Sequence, residues 1–516
     1  MRVHLTTPSP GTLAAIALLI ASYAFRLPPL LNARSTNSDA AVVGLQGMHM
    51  LRGELSPFLW GSGYQTSADS AVAAVFFAAL GPSPLVLMLS ALSMHVLATY
   101  LVFVMLRRRF EPWLALLVAL PLVVSPSSVH SYALYPPRQV SLTLVMAAFW
   151  AIDTAMTSTS PKRVRWMAAG GLCATLAVSA DPYPMLILPL VGLYALLVVW
   201  SEEGSRGIGL AAFGGGTLVG LAPFAIVHRL AGAKSGPMGL TTGMLEHHWR
   251  LLVDECLPWA LSYKVYFAHN VMDYRAWSAP GWFRALGVVG ALLLGALVIF
   301  GLVSPLRRSL PSPVRRLGFV GALTFPLAIG AFLVSVMVMD HFSMRYLAVL
   351  TLMTPFAMVP AAQALGVRRF AVAFAPHLLA SAVAGWVGYG PFVHGPLPVA
   401  ETPELRDDYA LFAMLRARNL RWATADYWAS YRLTYLFREE IVVVPKNQGE
   451  DRYPPYRRAF EAEKVFAYVH DPGRSREDLA NTERELVAAN EQVERLTAGG
   501  LTVFIVTRRA WPAMAP

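Results

Sequence analysis

Long apolar runs separated by short polar connections organise most of this chain. A membrane-spanning helix needs about 20 apolar residues, and that measure predicts about eleven spans. They fall at roughly 13–31, 84–106, 113–127, 139–156, 166–180, 183–200, 208–227, 285–303, 317–339, 346–365 and 370–388. With the N-terminus taken as cytoplasmic, alternate connections hold the basic residues. These are Arg107, Arg108 and Arg109; Lys162, Arg163 and Arg165; Arg206; Arg307, Arg308, Arg315 and Arg316; and Arg368 and Arg369. The short connections on the other side are poorer in Lys and Arg, which is the positive-inside asymmetry of a polytopic membrane protein. An odd number of spans then puts the C-terminus outside the cytoplasm.

The pattern changes near residue 400, where charged and polar residues enter. "LRWATA", "IVVV", "KVFAYV" and "LTVFIV" are strand-like, "PPYRRAFEA" is a short helix with Pro at its start, and a charged helix is expected from about Arg474 to Leu496. Strands alternating with helices predict a small α/β domain. The expected organisation is therefore an α-helical polytopic membrane domain over 1–395, with a long outer loop at 32–83. A soluble extracytoplasmic α/β domain follows over 396–516.

Composition agrees with the pattern. The chain is 56% hydrophobic and 14% charged, against about 25% charged in soluble proteins. The formal net charge of +11 sits largely in the inner connections, so it does not call for nucleic acid. Cys173 and Cys256 have no metal-type spacing, and a disulfide is not expected. The apolar run from Leu13 lacks a small-residue cleavage site and reads as an uncleaved first span. The expected location is the plasma (inner) membrane. The glycines of "AAFGGGTLVG" lie inside a span and suit close helix packing rather than phosphate binding.

On this topology several ionisable residues fall at the outer boundary: Asp39, Asp69, Arg138, Asp181, and the group Asp340, His341 and Arg345. Charged groups at a membrane boundary are costly when unpaired, so they are functional candidates. Each also fits a solvated loop end. In the first outer loop, Val42, Val43, Met48, Met50 and Leu51 recur at helical spacing, as for a helix lying in the interface plane. Asn37 and Ser38 are good caps. Asp39 then reads either as a charge at a helix start or as a catalytic base on a rigid mount. The aromatic run "ADYWASYRLTYLF" fits core packing better than a sugar groove.

An acid after the first span, "AVVGLQGMHMLRGEL", "FLWGSGYQTSADSAVAAVFFAALGPSPL" and an Arg-rich inner loop together resemble the polytopic GT-C glycosyltransferases. These are the enzymes related to protein O-mannosyltransferases and the lipid A aminoarabinose transferase. The resemblance is strongest over 30–110 and weaker through "ADPYPMLILPL" and "RYLAVLTLMTP". It implies sugar transfer from a polyprenyl-phosphate donor outside the cytoplasm, to a glycan, lipid or protein hydroxyl. It also implies that Asp39 is the general base and that Asp69, in the Y-x-x-S-x-acid stretch from Tyr64, is a second acid. Arg345 and Tyr346 then match a donor-phosphate contact. Ala40 stands where relatives carry a second acid beside the base.

The chemistry fits these residue types. A lipid phosphate leaves as an anion and needs positive charge, which the planar guanidinium supplies. Arg345 and Arg138 are the candidates, with Lys264 behind them. A carboxylate accepts the acceptor's proton, and one displacement inverts the anomeric centre. No metal or other cofactor is required by this scheme. "EHHW" near Asp254 and Glu255 has no strong metal spacing, and a solvated loop helix accounts for it. The alternative class is a transporter or flippase, which would bury charge within spans, as at Asp153, and show repeats. No repeat is evident.

Overall fold

The structure is a computed structural model that describes residues 9–31, 33–125, 133–200, 206–230, 239–268, 274–388, 403–472 and 478–509. It divides into two compact units. The first comprises residues 1–30, 64–66 and 91–393, and the second residues 31–63, 67–90 and 394–516.

The first unit is helical. Each of the apolar runs read from sequence is helix over most of its length, from Pro10–Ala24 to Ala348–Gly388. In the last, Gly366 adopts φ 69° and divides the two expected runs. Pro10, Pro112, Pro161 and Pro313 stand at helix starts, where the missing N–H costs nothing. Among the described residues, six helices are long and apolar enough to cross a membrane, and shorter apolar helices such as Pro112–Val123 and Leu188–Trp200 accompany them. The chain is thus a multi-pass membrane protein. Small residues let neighbouring helices approach: a Cβ on Gly216 would stand 2.0 Å from the Ala168 carbonyl oxygen, so Arg206–Leu230 packs closely on Ser160–Ala180.

Asp153 is fully buried near the end of Gln139–Met156 and is fully partnered. Arg108 donates to its Oδ2 at 2.6 Å, Tyr194 donates to its Oδ1 at 2.6 Å, and Arg109 bonds both oxygens. A buried charge persists only when paired this way.

The second unit is built on a five-stranded sheet. In spatial order its strands are Val442–Pro445, Trp422–Ala425, Val465–His470, Leu501–Thr507 and Gln492–Ala498. The first three run parallel, and the last two add antiparallel. Alternation along the strands makes two cores. Val442, Val444, Phe466, Tyr468, Phe504 and Val506 face one core, while Val443, Ala467, Val469 and Val503 face the other. The helix Tyr427–Leu436 serves both: Tyr427, Tyr431 and Tyr435 form one ridge, and Ala429 and Leu433 face the opposite side. The aromatic run is therefore core, as its spacing suggests.

Two sequence expectations change here. The apolar face of the loop helix Ser38–Leu51 is covered largely by protein. Ala41, Val42, Val43 and Leu45 join the core of the C-terminal sheet, and Ala40 to Gly47 are all buried. The helix packs on Ala68–Leu80 and Tyr427–Leu436, so residues 31–63 and 67–90 fold with the C-terminal segment. The charged helix expected to run to Leu496 ends at Ala489, and Gln492–Ala498 is a strand paired with Leu501–Thr507. As an edge strand it pairs on one side only and keeps its charged side chains in solvent, which hides it from hydropathy. The expected start of that helix, Arg474, lies outside the described residues.

Candidate active site

In the second unit, Asn37 rather than Asp39 caps the loop helix: its side chain accepts from the Ala40 N–H at 2.9 Å. This frees the Asp39 carboxylate in the first turn for other contacts. The Tyr427 hydroxyl donates to Asp39 Oδ1, and an Arg452 guanidinium nitrogen stands 3.8 Å from the same oxygen. Arg452 Nε also donates to the Tyr427 hydroxyl at 3.1 Å. About a third of the Asp39 side chain remains exposed, at 34%. Burial, and next the charge of Asp39, push the Tyr427 phenol up from its ordinary range, which keeps it a donor.

The surroundings fix this arrangement. Ser38 Oγ is buried and donates to the Tyr427 carbonyl at 2.6 Å, tying the two helix starts together. Gly61 has φ 67°, and a Cβ there would stand 2.5 Å from Arg452 Cδ. Only glycine lets the first loop lie against Arg452.

Asp69 is half-buried in the first turn of Ala68–Leu80. That helix is locked to the Asp39 helix by Ser70 Oγ donating to Gln46 Oε1 at 3.0 Å. The two acids therefore begin two helices that pack together.

A second polar centre shares this unit. His49 Nδ1 lies 2.7 Å from Glu54 and its Nε2 lies 2.6 Å from Glu439, whose other oxygen accepts from Arg52 at 2.6 Å. Tyr456 donates to Glu439, Tyr453 donates to Glu54 at 2.9 Å, and Tyr453 stacks on Trp60 at 4.0 Å. Burial alone would raise the Glu439 carboxyl, but the bonds from His49, Tyr456 and Arg52 hold it down at about 2. Tyr453 is the neighbour of Arg452, so this knot anchors the segment that reaches Asp39.

In the first unit, Arg138, Asp181 and Arg345 are linked through Tyr183. Arg138 Nε donates to Asp181 Oδ2 at 3.2 Å, and the Gln65 amide donates to the same oxygen. Asp181 Oδ1 accepts from the Tyr183 N–H at 2.7 Å. The Tyr183 ring carries the Arg138 guanidinium at 5.6 Å on its face and lies 6.4 Å from Tyr346, nearly parallel to it. The Tyr183 hydroxyl donates to the Arg345 carbonyl at 2.8 Å. Arg345 donates to the Tyr346 hydroxyl at 3.2 Å, is exposed, and pairs with no carboxylate among the described residues. Arg138 stands in the left-handed region at φ 86° just before Gln139–Met156, a strained position of the kind found at ligand sites. The result is a cationic, tyrosine-backed patch that can receive an oxyanion.

The remaining candidates have structural partners. Asp340 caps His341–Leu347 in a capping box. His341 is buried beside Trp259. Lys264 donates to the Asp254 carbonyl at 2.7 Å. In "EHHW", Glu246 pairs with Arg250 and His248 Nδ1 bonds the Leu333 carbonyl at 2.8 Å. Tyr64 is half-buried and belongs to the first unit, next to Gln65. Cys173 and Cys256 are both free thiols.

Sequence reading missed Tyr427, Arg452 and Tyr183. Tyr183 had a signal in "SADPYP", two positions after Asp181. Tyr427 and Arg452 had none, since their partner lies hundreds of residues away.

Fold and site together define a polytopic helical membrane protein. It carries an α/β domain that holds a carboxylate, and its membrane unit carries an arginine–tyrosine patch. Among solved structures, the chain is similar to ArnT from Cupriavidus metallidurans in the apo state. The identity is 14% and the TM-score 0.49, over 95% of this chain and 97% of that one. It is similar also to ArnT from Cupriavidus metallidurans bound to undecaprenyl phosphate, with 13% identity and a TM-score of 0.47 over 96% and 97% of the two chains. No protein-family model matches the sequence, and no curated protein matches it.

Proposed function

We propose that this chain is an inverting glycosyltransferase. It would move a sugar from a polyprenyl-phosphate donor to a hydroxyl of a glycan, lipid or protein on the outer face of the membrane. The observation that carries this reading is Arg345: an exposed guanidinium without a carboxylate partner among the described residues, backed by Tyr346 and joined to Arg138 through Tyr183. Such a patch suits a phosphate, and a planar guanidinium binds its oxygens in charge-assisted pairs.

In the proposed reaction the acceptor oxygen attacks the anomeric carbon as the bond to phosphate oxygen breaks. The polyprenyl phosphate leaves with the electron pair, held by Arg345 and Arg138. The acceptor proton passes to Asp39, a step typically worth about 10²–10⁴-fold. Tyr427 and Arg452 fix the rotamer of Asp39 so that its exposed part meets the acceptor. Asp69 and Tyr64 are assigned to sugar or acceptor hydroxyls. The GT-C resemblance of residues 30–110 supports the same roles.

Lipids from a strain lacking the gene are the test. The sugar-charged polyprenyl phosphate is expected to accumulate, and the purified protein is expected to release free polyprenyl phosphate from it when acceptor is supplied. A protein that leaves the charged lipid intact contradicts transferase activity and favours transport. The outer location is tested by Glu450→Cys, at an exposed position. Labelling of intact cells is expected, and labelling only after lysis contradicts it.

A further inference from the structure

The second unit contains a half-open cavity of about 590 Å³ that shares no residue with either polar centre described above. Its charged lining is Arg34, Arg438 and Glu440, and its walls include Tyr409, Phe412 and Leu85. Arg34 and Arg438 are exposed, and neither pairs with a carboxylate among the described residues. The cavity therefore carries a net charge of one positive unit beside an apolar wall.

Its place in the chain says what it faces. Leu31 ends the short apolar helix that follows Pro10–Ala24, and Pro84 and Leu85 begin Pro84–Arg107, a helix long and apolar enough to cross a membrane. The lining thus includes residues where apolar helices end and begin, and the ends of membrane-crossing helices generally lie near lipid headgroups. The backbone is also arranged for this lining. Arg438 and Glu439 are consecutive left-handed residues, at φ 51° and 63°. That turn sends Glu439 to His49 and Arg52 while Arg438 lines the cavity. Two strained non-glycine residues in succession persist only where the surrounding structure requires them. In the wall, the buried Tyr435 hydroxyl makes no hydrogen bond among the described residues, so one donor is unmet there.

We propose that this cavity binds the headgroup of an anionic phospholipid, a phosphodiester bearing hydroxyls. Arg34 and Arg438 take the phosphate, Glu440 accepts from the headgroup hydroxyls, and an acyl chain lies along the apolar wall. The single negative charge of such a headgroup neutralises the cavity, whereas a zwitterionic headgroup leaves its charge unbalanced. This assignment is independent of the sugar-transfer reaction.

The test uses the purified full chain in detergent. Dihexanoyl phosphatidylglycerol is titrated, with dihexanoyl phosphatidylcholine and inorganic phosphate as comparisons. Phosphatidylglycerol is expected to bind tightest, and Arg34→Ala/Arg438→Ala to weaken it by about tenfold or more, as for loss of charged hydrogen bonds. A thermal melt confirms that the variant is folded; if it is not, Arg34→Gln alone, at an exposed side chain, is expected to weaken binding several-fold. Unchanged phosphatidylglycerol affinity in a folded variant overturns the proposal. Equal binding of phosphatidylcholine overturns the charge assignment, and equal binding of inorganic phosphate shows a free-anion site instead of a lipid site.

Discussion

The Tyr427 hydroxyl donates a hydrogen bond to Asp39 Oδ1 across 388 positions of sequence. The carboxylate at the start of the first loop helix is thus held by the C-terminal domain, and the two segments fold as one unit. On the proposed reaction this contact orients the base. Tyr427→Phe removes the donor and keeps the ring in its core. Sugar transfer is expected to fall by about tenfold, the scale of one charged hydrogen bond, with little change in donor KM. Steady-state kinetics beside a melting curve checks this, and an unchanged kcat would remove Tyr427 from the orienting role.

Gly61 supports the other side of the same carboxylate. Gly61→Ala adds a Cβ that meets Arg452 Cδ at 2.5 Å and Cα at 2.8 Å, on a backbone at φ 67°. Strain of this kind costs about 1–3 kcal/mol. The variant is expected to melt earlier and to transfer sugar more slowly, because Arg452 must move. A melt and rate equal to the parent would show that the loop has slack there.

Arg345→Ala is expected to weaken binding of the sugar-charged polyprenyl phosphate by about tenfold or more, measured with the purified protein. Unchanged donor affinity would move the phosphate site elsewhere, with Arg138 the next candidate. Arg138 already has a carboxylate partner in Asp181, so Arg138→Ala removes the positive charge paired with a buried acid and is expected to lower stability as well as affinity.

The His49 knot predicts acid sensitivity. Glu439 is held at about 2, below its usual 4.5. A depressed carboxyl contributes stability that is complete above the unfolded value and is lost as pH falls through the folded value. Melting temperature is therefore expected to drop as pH falls from about 4.5 towards about 2. Glu439→Gln should be less stable near neutrality and show a flatter profile across that window. A variant profile parallel to the parent's would show that other groups govern acid unfolding.

Much of this architecture was legible because its signals are local. Apolar runs located the membrane-unit helices. Pro454 and Pro455 marked the helix Pro454–Ala462, and β-rich stretches located four strands of the sheet. Gln492–Ala498 was not legible, because an edge strand with charged residues in solvent has the composition of an exposed helix. The loop helix was misplaced for a related reason. Its apolar positions show that a face is buried, but they do not say whether lipid or protein covers it. For the site, Asp39, Arg138, Asp181 and Arg345 stood out as charges beside apolar runs. Tyr427 and Arg452 are ordinary residues of a soluble domain until the fold brings them to Asp39.

The central claim is that Asp39 takes the acceptor's proton. Asp39→Asn keeps the size of the side chain and an oxygen that can accept from Tyr427, but removes the basic carboxylate. With purified protein, charged donor and acceptor, turnover is expected to fall by at least about 10²-fold, while membrane insertion and donor binding persist. Turnover equal to the parent's in that variant would contradict the account.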